Sequence, residues 1–261
     1  MMPTVDMHIV AQLFLVALLG GLIGLDRTAA GQFMISQPIV AGPLTGWVLG
    51  DATAGLVIGA VLELIWVLDM PIGTFVPADA TIGTVSATAV AALGSAGVHR
   101  LDLIGFSILL TTVIVPITMK VDGIVRTRNS RLVDAAQCSP GEKDGGRLVA
   151  RAHLTGLMIF FVKSFVLYLL FIPAGLAALR LFERMPDKMH GAMVLFVKLL
   201  PLLGAALVVR KLSIRTMDRF FLAGFILAAF LTVALHVPAL VTIVLVVAAG
   251  FFGNRYREGR R

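Results

Sequence analysis

An all-α, polytopic integral membrane protein with re-entrant or broken helices in its N-terminal half is the fold class that this sequence predicts. Three observations carry the prediction. The 261 residues are 58% hydrophobic and 14% charged, with a mean hydropathy of +0.96, whereas a soluble domain carries about a quarter charged residues. Apolar runs approaching the ~20 residues of a helical bilayer crossing recur along the chain. Glycines and prolines interrupt those runs between Pro38 and Ala80, and irregular backbone is tolerated at membrane depth only where protein or a polar cavity covers it. A cytosolic enzyme is therefore excluded. So is a disulfide-built secreted module, because Cys138 has no partner within the chain.

The apolar segments are 8–25, 32–50, 53–68, 80–98, 101–119, 154–179, 191–209, 216–235 and 237–253. The first follows an acidic N-terminus without Lys or Arg and precedes no small-residue cleavage site, so it reads as a retained span rather than a signal peptide. The second holds Pro38, Gly42, Pro43, Gly46 and Gly50, and the third Gly55 and Gly59. Interrupted segments of this kind are the best pointer in sequence to a transport site. The one long polar interruption, 122–151, carries Arg126, Arg128, Arg131, Lys143, Arg147 and Arg151 and reads as a surface loop. The excess of Lys and Arg places it in the cytoplasm. Arg210, Lys211, Arg215 and Arg219 return to that side after two crossings, and Arg255, Arg257, Arg260 and Arg261 after two more. The expected organisation is thus a membrane region with broken helices at 1–121, a basic cytoplasmic loop at 122–151, membrane helices at 152–253 and a basic tail at 254–261.

The +7 net charge is the signature of this topology and not of nucleic-acid binding, since no aromatic-basic patch accompanies it. No phosphate-binding G-x-x-x-x-G-K-[ST] loop is present. The five histidines lack metal-ligand spacing, and no nucleophile–base pair stands out. Neither a catalytic residue nor a metal or cofactor is expected.

Chemistry concentrates between Leu49 and Ala80. Glu63, Asp69 and Asp79 lie in apolar surroundings, where a charged group costs a few kcal/mol even on the mildest scale unless it faces a polar cavity. A carboxylate is a strong acceptor for two sugar hydroxyls at once. Trp66, one helical turn from Glu63, offers an indole face for the C–H face of a pyranose ring. Each has a plainer reading. Glu63 can belong to an ion pair, Asp79 can cap the helix that follows, Asp69 can end its helix at an interface, and Trp66 can be core. Asp51 reads as an N-cap for the helix beginning at Ala52. Lys163 falls about ten residues from either side of its span, too far to reach water easily, so an intramembrane carboxylate is its expected partner: Glu63, Asp79 or one on another chain. Lys198 is similarly placed within an apolar run.

Residues 35–85 resemble the IIC membrane subunit of mannose–fructose–sorbose-type phosphotransferase systems. The resemblance runs through Pro38, Leu-Gly-Asp51, Leu-Glu63, Ile-Gly73 and Asp79 without gaps, and extends more loosely to His153 and Lys163. It implies a multi-pass subunit of the bacterial inner membrane that translocates a hexose-type sugar together with a second membrane subunit, IID, in a hetero-oligomer of trimeric symmetry embedded in membrane lipid. It further implies that cytoplasmic IIA and IIB proteins carry the phosphoryl group, so that this chain transports and is not itself the enzyme. By the same resemblance Glu63 and Asp79 match acidic residues of the family's sugar-site segment; with Trp66, Asp69 and Gly73 from the same stretch they are the expected sugar-site residues. The chain departs from mannose-specific members at Asp69, Pro71 and Gln37 and in a longer link from Asp26 to Gln32, which keeps a second reading in view: a transport-deficient membrane scaffold or sensor for the soluble components.

Overall fold

The computed structural model describes residues 7–27, 29–67, 69, 76–94, 100–137, 145–212, 218–236, 238 and 241–243. Every regular element among them is a helix: α1 (Met7–Leu25), α2 (Pro38–Leu49), α3 (Ala52–Trp66), α4 (Ala80–Gly94), α5 (Leu101–Gln137), α6 (Gly145–Phe182), α7 (Asp187–Leu212) and α8 (Asp218–Ala229), the last continued by a π-helical turn over Phe230–Ala234. Helices α1, α5, α6 and α7 are long and apolar enough to cross a membrane. Their outward faces are greasy: Leu22, Val113, Leu170 and Leu202 are each exposed, which suits lipid tails and not water.

Helices α2 and α3 have 12 and 15 residues, about 18 and 22 Å, too short for a ~30 Å hydrocarbon layer. They form a short helical hairpin where the Gly/Pro pattern predicts re-entrant or broken helices. Pro38 occupies the first turn of α2, where its missing N–H costs nothing. Gly50 closes the helix in the left-handed conformation (φ 84°), and the Asp51 carboxylate accepts the Ala54 N–H at 3.0 Å to start α3. The two helices then touch backbone to backbone. A Cβ at Gly42 would strike the Gly55 carbonyl, one at Gly55 the Gly42 carbonyl, and one at Gly59 the Pro38 carbonyl.

Helix α4 is the innermost element. All of Ala80–Ala92 is buried, including Thr81, Thr84, Ser86 and Thr88. Ile82, Val85, Ala89 and Val90 pack with Val16 and Ala17 of α1, Leu103 of α5 and Tyr168 and Ile172 of α6. On the other side, Ala87 and Ala91 meet Ile58 and Leu62 of α3, Ile104 and Ile108 of α5 and Val197 of α7. Residues 7–208 form one compact unit. The remainder is a second, of which the described part is the end of α7, α8 with its π turn, and residues 235, 236, 238 and 241–243.

The stretch 122–151 corrects the sequence reading. It is not a loop: α5 runs on to Gln137 and α6 begins at Gly145, leaving 138–144 outside the described residues. Val121, Val125 and Leu132 recur at helical spacing among the arginines, so an amphipathic helix continues where charge alone suggests a surface loop. Asp102 and Asp122 sit twenty residues apart on α5, about 30 Å, one hydrocarbon thickness. Each anchors a charge cluster. At the first, Arg100 donates to Asp102 (2.8 Å) and Glu183 (3.4 Å), and His190 Nδ1 lies 2.7 Å from Asp102. The second is the centre of the site described next.

Candidate functional site

Where α1 ends, Asp26 turns the chain back. Its carboxylate accepts the backbone N–H groups of Phe33 (2.6 Å) and Ser36 (3.1 Å), and Gly31, Gln32 and Met34 take positive φ in the turn between. Burial pushes the Asp26 carboxyl up, but the N–H donors of Phe33, Ser36 and Ile35 outweigh it and hold the group below the usual carboxylate range. The turn aims Arg27 at the start of α4. Its guanidinium donates to the Ala78 carbonyl at 2.5 Å and to Asp79 Oδ1 at 3.2 Å.

Asp79 does two jobs. Its Oδ1 caps α4 by accepting the Ile82 N–H at 3.2 Å, and its Oδ2 accepts from Lys163 of α6 at 3.0 Å. Lys163 also donates to Asp122 of α5 at 2.7 Å, and the Arg126 Nε lies 3.6 Å from Asp122 one turn on. The side chains of Lys163, Asp79 and Asp122 are 6%, 8% and 11% exposed. Two carboxylates and Lys163 thus meet almost out of contact with water, with the more exposed Arg27 and Arg126 at the margins. That is the arrangement a buried charge requires, because an unpaired ion at this depth costs several kcal/mol. The expected intramembrane partner of Lys163 is therefore Asp79, joined by Asp122.

On the open side of this cluster lies a cavity of about 400 Å³, walled by Asp26, Arg27, Gln32, Ser36, Gln37 and Thr81 and by Trp66, Val67 and Asp69 at the end of α3. The Trp66 indole also lies against α4, where a Cβ on Gly83 would approach it to 3.3 Å. One wall thus offers an aromatic face and a carboxylate; the other offers a guanidinium, two amides and hydroxyls. Such a set can exchange water for a polyhydroxy ring.

Of the residues singled out in the sequence, Trp66 and Asp69 line the cavity, and Asp79 sits behind it, holding Arg27. Glu63 stands apart from that lining. It accepts the Ile39 N–H at 3.2 Å, so its charge rests on the positive N-terminal end of α2. Gly73 lies outside the described residues. Sequence reasoning missed Asp26, Arg27 and Asp122. The first two fall in the short stretch between the first and second apolar segments and the third at the edge of the basic stretch; their signal is a charged residue within a few positions of the end of an apolar run.

Short hairpin, buried α4, buried ion cluster and polar cavity together define a polytopic membrane protein built around a polar chamber. Comparison with known proteins gives the family. The chain matches the model for the PTS system sorbose-specific IIC component over residues 10–248 and belongs to that family, the IIC membrane components of phosphotransferase-system sugar permeases. It is 26% identical over 227 residues to the mannose-specific EIIC component of Escherichia coli K12 (83% of this chain, 78% of that one). It is 22% identical over 232 residues to the sorbose-specific EIIC component of Lacticaseibacillus casei (86% and 79%). Among solved structures, a chain described as a membrane protein aligns with a TM-score of 0.68 at 23% identity, covering 94% of this chain and 96% of the other. A chain of the mannose transporter ManYZ in complex with microcin E492 aligns at 0.54 and 23% identity, over 95% and 96%; both show the fold alone.

Proposed function

We propose that the chain is the translocating IIC subunit of a bacterial inner-membrane sugar phosphotransferase system. It carries a hexose-type sugar to the cytoplasmic face, where a IIB protein, charged by IIA, phosphorylates it; a IID membrane subunit completes a hetero-oligomer of trimeric symmetry. The basic stretch around Arg128 and Arg151 and the basic tail face the cytoplasm.

The observation that supports this reading is the cavity beside the buried ions. The sugar lies against the Trp66 indole, with Asp69 accepting its hydroxyls and Arg27, Gln32 and Gln37 hydrogen-bonding the opposite edge. Asp79 and Lys163 hold Arg27 and the start of α4 in place. Glu63 fixes the end of α2, and Gly73 belongs to the segment that links Asp69 to Asp79. The ions stay charged in an apolar setting because they satisfy one another, and the sugar meets a surface already charged and oriented.

The test is sugar uptake by membranes containing the chain with its IID and IIB partners. Asp69→Asn reduces uptake about tenfold, the loss of one charged hydrogen bond being worth ~1.5 kcal/mol, and Trp66→Ala, which removes the apolar indole face, reduces it by a similar factor, while the protein inserts in normal amounts. Wild-type uptake in both variants refutes the site. An unaltered chain that assembles with its partners yet takes up no sugar replaces the reading with that of a scaffold.

A further inference from the structure

On the flank of α5 and α6 runs a groove of about 460 Å³, separate from the cavity and shared with the ion cluster only through Lys163. Its floor is Val125 and Leu167, both buried, and its walls are Ile124 on α5 and Met158, Val162 and Val166 on α6, all exposed. Arg128 stands at one end. Lys163 forms part of the floor, but its charge is already matched by Asp79 and Asp122. Along α5, Val121, Ile124 and Arg128 follow one face, and Arg131, exposed, continues it one turn further. The Lys163–Asp122 pair and the approach of Gly156 to Asn129 fix the antiparallel register of the two helices. That register sets Arg131 level with Leu154 and beside the exposed Thr155.

We propose that this groove is a binding site for an anionic phospholipid, one acyl chain lying along Ile124, Val162 and Val166 and the phosphate held by Arg128 and Arg131. The order of chemistry along the groove carries the argument. Val121, Ile124 and Val125 line it on α5, and Arg128 closes it about two turns from Val121, so that read along the helix it is apolar and then basic, the same order that a phospholipid presents. A basic pocket between membrane helices is where anionic headgroups are recognised. A helix from a protein partner would have no reason to switch from aliphatic to anionic along that line.

The experiment uses the purified full chain in detergent micelles, with native mass spectrometry counting retained lipid and thermal unfolding reporting the fold. Phosphatidylglycerol is retained and raises the melting temperature, whereas phosphatidylcholine does neither. Each arginine near an anionic lipid is worth about a factor of five, so Arg128→Gln with Arg131→Gln weakens phosphatidylglycerol retention roughly twenty-five-fold without lowering the melting temperature of the lipid-free protein. Ile124→Trp, which fills the groove and keeps both arginines, removes the lipid by a second route. Equal retention of the two lipids, or undiminished phosphatidylglycerol in both variants, overturns the proposal. So does a crosslink from Ile124→Cys, in a Cys138→Ser background, to a second copy or a partner subunit in native membranes.

Discussion

Replacing Lys163 by methionine removes the cation shared by Asp79 and Asp122 while keeping the volume of the stem. Breaking a buried ion pair from one side generally costs about 3–5 kcal/mol. Here the cost falls at the low end, because the two carboxylates are not left bare. Asp79 keeps Arg27 at 3.2 Å and the Ile82 N–H at 3.2 Å. Asp122 loses its 2.7 Å hydrogen bond from Lys163 and retains only Arg126 at 3.6 Å. The expected loss is about 3 kcal/mol, most of it at Asp122. In a chain of this size that corresponds to a fall in melting temperature of roughly 10 °C, read from intrinsic fluorescence of the detergent-purified protein. Asp122→Asn in the Lys163→Met background then recovers part of the loss, and the double-mutant cycle gives a coupling above ~1.5 kcal/mol. A Lys163→Met protein within ~0.5 kcal/mol of wild type, or a cycle that is simply additive, refutes the reasoning that these charges sustain one another out of water.

The α2–α3 contact predicts that Gly55→Val costs about 3 kcal/mol, since its Cβ meets the Gly42 backbone carbonyl and backbone cannot yield; Gly123→Ala, with nothing within 4 Å of the added Cβ, leaves the melting temperature unchanged or slightly higher. Asp26 carries a pH prediction. Its folded carboxyl is held below the ordinary range, so its stabilisation is present above about pH 4 and is lost as pH falls through the depressed value. Asp26→Asn is therefore less stable than wild type by ~1–2 kcal/mol at neutral pH, and the difference closes on acidification; a gap that persists to pH 2 contradicts this.

The sequence made the fold class legible because hydropathy and Gly/Pro placement are local properties. The breaks around α2 and α3, the Asp51 cap and the need of Lys163 for a carboxylate all follow from residues within a few positions of one another, although 32–50 reads as one longer apolar segment and α2 has only 12 residues. The partner of Lys163 did not, because Asp79 and Asp122 lie 84 and 41 residues away in the chain and only the packing of α4, α5 and α6 brings them together. Glu63 shows the opposite limit. Its charge in an apolar helix reads as a sugar ligand or one half of an ion pair, whereas the Ile39 N–H that it accepts depends on how tightly glycine lets two helices approach. The continuation of α5 and α6 through the basic stretch was hidden for a different reason: arginine density masks an apolar stripe that has the right period.

Asp102 and Asp122 act as two pegs on one helix. Sliding α5 by one turn, about 5.4 Å, would pull Asp102 away from His190 of α7 at one peg and Asp122 away from Lys163 of α6 at the other, so α5 resists displacement along its own axis at both ends at once. Helices α5, α6 and α7 are thereby keyed into a single frame, and movement within the protein falls to the elements that this frame does not pin.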